Sequence, residues 1–226
     1  MSDGGHSEGP VGSSPIVGFP SASTGFDAVV LVASLGGVKA LTTVLAELPA
    51  SFPAPVLVVQ HARAGSGGSL ARVLGARCAL PVHEVAHGAA LPGSGVLVVP
   101  PDTSTRLTAG RTFTVEPESG LHPGDVVLGS VAQVLGARTV GVVLTGRLDD
   151  GAGGVRAVKR RGGRVLVQDP ATAEARDMPS HALATGCVDF ALPLERLPAA
   201  LISLTMAPGG ADLFTVPTPP WARLHA

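Results

Sequence analysis

Three places in the chain carry the residue types of a hydrolytic relay. Ser34 ends the run "AVVLVAS" and is followed by Leu35, Gly36 and Gly37. His61 follows Gln60 at the end of "APVLVVQ", and Asp149 and Asp150 close "VVLTGRLDD" just before Gly151. A serine hydroxyl is a weak nucleophile until a base takes its proton. An imidazole can do that near neutral pH, and a carboxylate fixes its tautomer and favours the imidazolium that develops. Amides at the start of the helix after Ser34, in the region of Leu35 and Gly36, suit a developing oxyanion, and Gly36 leaves room for substrate. Such a relay places Ser34 Oγ within hydrogen-bonding reach of one His61 ring nitrogen, allowing for a looser geometry without substrate, with the other nitrogen facing Asp150.

Each of these residues also has an ordinary structural use. Ser34 could cap a helix, His61 could be a strand-end histidine bonded to a loop, and Asp149 or Asp150 could cap the helix starting near Gly151. His122, in the predicted loop "GLHPGD", either lines a site or faces solvent. His83 and His87 suggest a metal site with His61, but no carboxylate or cysteine joins them at ligand spacing, so no metal is expected. The dinucleotide pattern G-x-G-x-x-G is broken by Val32 and Ser34, and no phosphate-binding G-x-x-x-x-G-K-S/T loop is present. The elbow G-x-S-x-G of another hydrolase class is broken at Val32.

The elements that must position these groups alternate along the chain. Strands are predicted at 28–34, 54–62, 82–86, 95–102, 139–146, 163–169 and 187–193. Helices are predicted at 36–50, 67–78 (capped by Ser66 or Ser69), 125–136, 151–162, 178–186 and 194–206, the last weakened at Pro198. A hairpin is predicted over 103–116, turning near Ala109–Gly110. Such alternation, with short connections, implies an α/β fold with a mostly parallel sheet, whose sites collect beyond the carboxyl ends of the strands. Residues 1–25 and 207–226, rich in Gly, Ser and Pro, read as a flexible arm and a tail around a single domain at 26–206.

Composition narrows the function. The 226 residues carry a net charge of -1, which gives no electrostatic reason to expect nucleic acid or an anionic membrane surface. Cys78 and Cys187, the only cysteines, form no C-x-x-C and read as small apolar fillers. No signal-peptide pattern opens the chain, and no apolar run reaches the about 18 residues of a membrane span, so a cytoplasmic protein without stable membrane insertion is expected. Nothing in the sequence sets an oligomeric state.

Together these segments resemble the catalytic domain of the chemotaxis receptor methylesterases, the CheB-type protein-glutamate methylesterase and glutamine deamidase family. The resemblance covers about residues 28 to 204. "ASLGGVKAL" is similar to the family's serine loop, "FPAPVLVVQHARAGSGGSLARVL" to its histidine segment, and "GVVLTGRLDDGAGGVRAVKRRGGRVLVQDPATA" to its aspartate segment. "HGAALPGSGVLVVPPD" and "DMPSHALATGCVDFALPLERL" follow in the family's order. The resemblance implies a doubly wound, mostly parallel sheet with helices on both faces and a small antiparallel element. It also implies a cofactor-free ester hydrolase acting on methylated receptors, with Ser34 as nucleophile, His61 as base and Asp150 as the catalytic carboxylate.

The departures gather round the expected site. Val32 stands where the family usually has glycine, Leu35 where it has threonine, and Arg147–Leu148 where it has Met-Gly. "HPGDVVLG" keeps Asp125 but loses an arginine and a serine. Arg147 adds a fixed positive charge that suits an acidic substrate, with Asp149 expected to hold the guanidinium. The residues ahead of the first strand are too few for the family's receiver domain, so control by phosphorylation within the chain is expected to be absent. Another methyl-esterified substrate, or a catalytically weak binding or regulatory module, are the alternatives that these changes raise.

Overall fold

All six residues of β1 (Ala28–Ala33) are buried, as a strand covered on both faces requires. Val29, Leu31 and Ala33 enter one apolar cluster, and Ala28, Val30 and Val32 enter another. This is the period-two alternation of a pleated strand. The computed structural model describes residues 25–61, 67–117, 122–207 and 210.

After β1 come α1 (Gly37–Ala46), β2 (Val56–Gln60), α2 (Gly67–Gly75), β3 (Val82–Glu84) and β4 (Val96–Val98). The hairpin β5 (Thr103–Leu107) and β6 (Phe113–Pro117) precedes α3 (Pro123–Leu135) and β7 (Thr139–Val143). The chain continues through α4 (Ala152–Arg160), β8 (Arg164–Gln168), α5 (Asp177–Ala184), β9 (Phe190–Leu192) and α6 (Leu197–Met206). Seven strands pair in the order β3-β4-β2-β1-β7-β8-β9, every neighbouring pair parallel, while β5 and β6 form a separate antiparallel pair.

The two clusters are the two faces of this sheet. Leu41, Val44 and Leu45 of α1 and Leu197, Leu201 and Leu204 of α6 cover one face. Val127, Leu128 and Val131 of α3, Val155 and Val158 of α4 and Met178 of α5 cover the other. The expected doubly wound α/β fold with a small antiparallel element is therefore present. The chain leaves β1 toward β2 on one side and returns on the other side to β7. The resulting switch point opens a crevice beyond the ends of these two strands.

Several boundaries differ from expectation. The helix expected from residue 125 begins at Pro123, whose fixed φ and missing N–H suit a first turn. Pro198 likewise lies in the first turn of α6 and starts that helix rather than weakening it. The strand expected over 187–193 is confined to Phe190–Leu192. The side chains of Ser66 and Ser69 lie outside the described residues, as do residues 1–24, 208–209 and 211–226 of the expected arm and tail. Among the described residues no helix is long and apolar enough to cross a membrane.

One buried ion pair ties α4 to the far edge of the sheet. Lys159 Nζ donates to Asp189 Oδ1, and Asp189 Oδ2 accepts the Val165 amide. Both side chains are almost completely buried. Removing one partner from such a pair leaves an uncompensated charge. Lys159→Met should therefore lower the unfolding free energy by about 3–5 kcal/mol in urea denaturation, whereas a loss below about 1 kcal/mol would show that the pair adds little to the fold.

Candidate functional site

The groups singled out in the sequence converge at the switch point. The register of β1 against β2 runs to Ala33 opposite Gln60, so Ser34 and His61 are the next residues on adjacent strands, about 4.8 Å apart in strand spacing. The Ser34 amide donates to Thr145 O at 3.0 Å, which ties the serine to the chain leaving β7. His61 Nε2 lies 2.6 Å from Asp150 Oδ2. Ser34, Leu35, Gly36, Lys39, Gln60 and His61 line one cavity of about 390 Å³.

Asp150 is held from an unexpected direction. Its Oδ2 accepts the Gly124 amide at 2.8 Å, and its Oδ1 accepts the amides of Asp125 at 2.9 Å and Gly151 at 2.8 Å. Gly124 and Asp125 belong to the first turn of α3, so a carboxylate just ahead of α4 serves the N-terminus of α3. Asp125 returns the arrangement: its Oδ1 accepts the Gly154 amide in the first turn of α4 at 2.7 Å. The two helix starts thus exchange carboxylates. Glycine is required where they meet, because a Cβ on Gly124 would lie 2.4 Å from Val32 Cγ1 and 2.7 Å from Asp150 Oδ2.

This environment settles the charge of Asp150. Burial, with the side chain only 1% exposed, acts to raise its pKa. The His61 hydrogen bond, the Asp125 and Gly124 amides and the His61 charge outweigh that burial, and the carboxyl sits below its ordinary value. Asp125 moves the other way. Its burial and the neighbouring Asp150 charge outweigh the Gly154 and Gly151 amides and His122, raising its pKa.

The cap weighed for Ser34 is not made, whereas Asp150 does accept the Gly151 amide at the start of α4 in addition to serving α3. Gly36 is the N-cap of α1 with no side-chain cap bond, and Gly151 likewise begins α4. The Ser34 hydroxyl is therefore not a cap for α1. Nor does it hydrogen-bond the His61 ring among the described residues, where Nδ1 of that ring has no partner. The His61–Asp150 contact is present, and no Ser34–His61 hydrogen bond is made among the described residues.

The remaining candidates separate. His122 Nε2 lies 3.3 Å from Asp149 Oδ1, and its Nδ1 lies 3.7 Å from Asp125 Oδ2, so His122 bridges these carboxylates. Asp149 therefore pairs with His122 and does not hold Arg147, which is exposed and makes no ion pair among the described residues. Leu148 is 69% exposed at φ 66, a left-handed conformation that a leucine rarely adopts. His181 Nδ1 donates to Leu148 O at 2.9 Å and helps to fix it there. Leu35 lies on the cavity wall, 43% exposed. Among the described residues no set of three or more His, Cys, Asp or Glu side chains converges as a metal site.

Sequence patterns missed several neighbours. Thr145 Oγ1 donates to Leu35 O at 2.9 Å and accepts the Ala175 amide at 2.8 Å, bracing the serine loop from the β7 side. Glu174 lies over Gly36, where a Cβ would meet its Oε2 at 2.7 Å. The side-chain amide nitrogen of Gln60 donates to Ser34 O and to His61 O, each at 2.8 Å. Gln60 stood out at the end of its strand, but nothing in the pattern indicated its partners.

Fold and site together define a parallel α/β protein that gathers a hydroxyl, an imidazole and a carboxylate beyond the strand ends at its switch point. A CheB methylesterase family model matches residues 29–201. The catalytic domain of the CheB methylesterase from Thermotoga maritima superposes with a TM-score of 0.76 at 34% identity, covering 80% of this chain and 100% of that one. Protein-glutamate methylesterase/protein-glutamine glutaminase 2 of Anaeromyxobacter dehalogenans is 40% identical over 189 residues, which span 82% of this chain and 55% of that protein. A Leptospira interrogans relative is 34% identical over 183 residues, 79% of this chain and 95% of the relative. The chain thus spans about half the length of the first of these relatives and nearly all of the second. It belongs to the CheB methylesterase family.

The lowered pKa of Asp150 has a definite sign. Its stabilising contribution is fully present above the unfolded carboxylate value of about 3.9 and is lost as pH falls through the lower folded value. Asp150→Asn should remove that acid-sensitive component. It should also destabilise the protein near neutrality by about 1–3 kcal/mol, because an amide nitrogen then faces backbone donors. Urea denaturation of both proteins across the acid range measures this. Parallel curves would show that Asp150 is not the group responsible.

Proposed function

We propose that this chain hydrolyses carboxylic methyl esters through Ser34, His61 and Asp150, with methyl-esterified glutamyl side chains of proteins as substrate. The observation that carries the reading is the 2.6 Å contact between His61 Nε2 and the ionised Asp150, beside a serine on the adjacent strand end. An ionised carboxylate only accepts, so Nε2 carries a proton, and in the neutral ring Nδ1 then keeps its lone pair. In the mechanism we infer, Nδ1 takes the Ser34 proton as Oγ attacks the ester carbonyl carbon. The carbonyl electron pair moves onto oxygen, near the amides at the start of α1. Collapse of this tetrahedral species breaks the acyl–methoxy bond, and the imidazolium returns the proton to methanol. Water, deprotonated by Nδ1, then attacks the Ser34 ester; the acyl–Oγ bond breaks, the imidazolium returns the proton to Oγ, and the glutamate side chain is released. The same acyl chemistry would release ammonia from a glutamine side chain.

Methyl-accepting chemotaxis receptors are the substrates that the family relationship favours. Ser34→Ala should reduce methanol release from methylated receptor by at least about 10³-fold while leaving thermal unfolding unchanged. Retained turnover would reject the nucleophile assignment. Absence of methanol release by the native chain from receptor and from a panel of small methyl esters would instead favour a binding or regulatory module.

Arg147 sits beside Gly146, which packs so closely on Ser34 that a Cβ there would lie 2.8 Å from Ser34 Cβ. With Asp149 engaged by His122, the guanidinium is available to a substrate carboxylate in a bidentate pair. Arg147→Met should lower kcat/KM for an acidic methyl ester by about tenfold more than for a neutral ester of similar size, the scale of one charge-assisted contact. Equal losses on the two esters would remove Arg147 from substrate recognition.

A further inference from the structure

We propose that Gln60 is a positioning residue that sets the spacing between Ser34 and His61, a proposal that rests on the Ser34–His61–Asp150 reading above. The β1–β2 ladder ends where the His61 amide donates to Ala33 O at 3.0 Å. Beyond it both chains leave the sheet, and the two functional side chains depend on where their backbones go next. One carboxamide group spans the gap. Its two hydrogens go to Ser34 O and His61 O, at 2.8 Å each, so the same nitrogen holds the backbone of the nucleophile and the backbone of the base.

The orientation of this amide is fixed by chemistry. With the amide reversed, its oxygen would face two carbonyl oxygens that can only accept. Gln60 Oε1 is instead turned toward α1. It is buried without a hydrogen-bond partner among the described residues and lies 2.0 Å from where a Cβ on Gly37 would be. The second glycine of the serine loop therefore leaves the room that the Gln60 side chain occupies. A hydrophobic residue of similar length would fill that space equally well, but would leave both carbonyls without their shared donor. Packing and positioning thus make different predictions for Gln60→Met.

Steady-state methanol release from a methyl-esterified glutamyl peptide, with thermal unfolding of every variant, tests this. Ser34→Ala, Gln60→Met, Gln60→Glu and the double variant Ser34→Ala/Gln60→Met are compared with the native chain. Gln60→Met should lower kcat by about 10²-fold, the penalty of a misplacement near 1 Å, with KM and the melting temperature nearly unchanged. Gln60→Glu, whose carboxylate can only accept, should lose at least as much. The double variant should be no slower than Ser34→Ala alone, because the clamp acts only through the serine. Serine-dependent turnover of Gln60→Met close to the native value would overturn the clamp and leave the Ser34–His61–Asp150 reading intact. So would a loss of kcat that merely follows a lowered melting temperature. Native turnover that survives Ser34→Ala would overturn that reading, and the clamp with it.

Discussion

The site depends on an anion held at a helix start that is not its own. Asp150 is buried, and a buried carboxylate without partners would bind a proton and lose its use as an acceptor. The His61 hydrogen bond, together with the Asp125 and Gly124 amides of the first turn of α3, holds its pKa below the ordinary value. The amides leave one direction of Oδ2 for His61 Nε2. The ring orientation therefore follows from how α3 meets α4. The glycine at position 124 and the reciprocal capping by Asp125 belong to the same constraint.

The sheet supplies the rest of the alignment. In a parallel ladder, residues just past the paired ends of neighbouring strands emerge together on one edge. Here β2, β1 and β7 are adjacent, and their continuations carry His61, Ser34 and Asp150. A doubly wound topology opens its crevice between β1 and β7; Ser34 and His61 directly follow their strands, and the connection from β7 to α4 carries Asp150 back to His61. Thr145 and Gln60 then brace the serine loop from the two flanking strands.

Much of this was legible in the sequence, for physical reasons. The buried strands read as continuous valine-rich runs because both of their faces are covered, and strand-end polar residues are conspicuous after such runs. The resemblance of the serine, histidine and aspartate segments to one family added their order and spacing. Contacts between residues distant in the chain were not legible. Asp150 looked like a cap for α4, the helix that follows it, whereas its partners include the start of α3, a relation that only packing creates. Asp149 looked like a partner for the nearby Arg147, yet His122 reaches it from another segment. Pro198 begins α6 rather than weakening it, because a proline interrupts a helix only beyond its first turn.

Asp150, bonded to His61 and held by the first-turn amides of α3, should fix the neutral His61 ring with its proton on Nε2 and Nδ1 unprotonated. Nitrogen-15 NMR of the imidazole side chains at neutral pH, with His61 assigned by its loss in His61→Gln, measures this tautomer directly. The neutral ring of the native chain should show a protonated Nε2 and an unprotonated Nδ1, with that preference lost in Asp150→Asn. A neutral ring protonated on Nδ1 in the native chain, or a preference unchanged in Asp150→Asn, would contradict it.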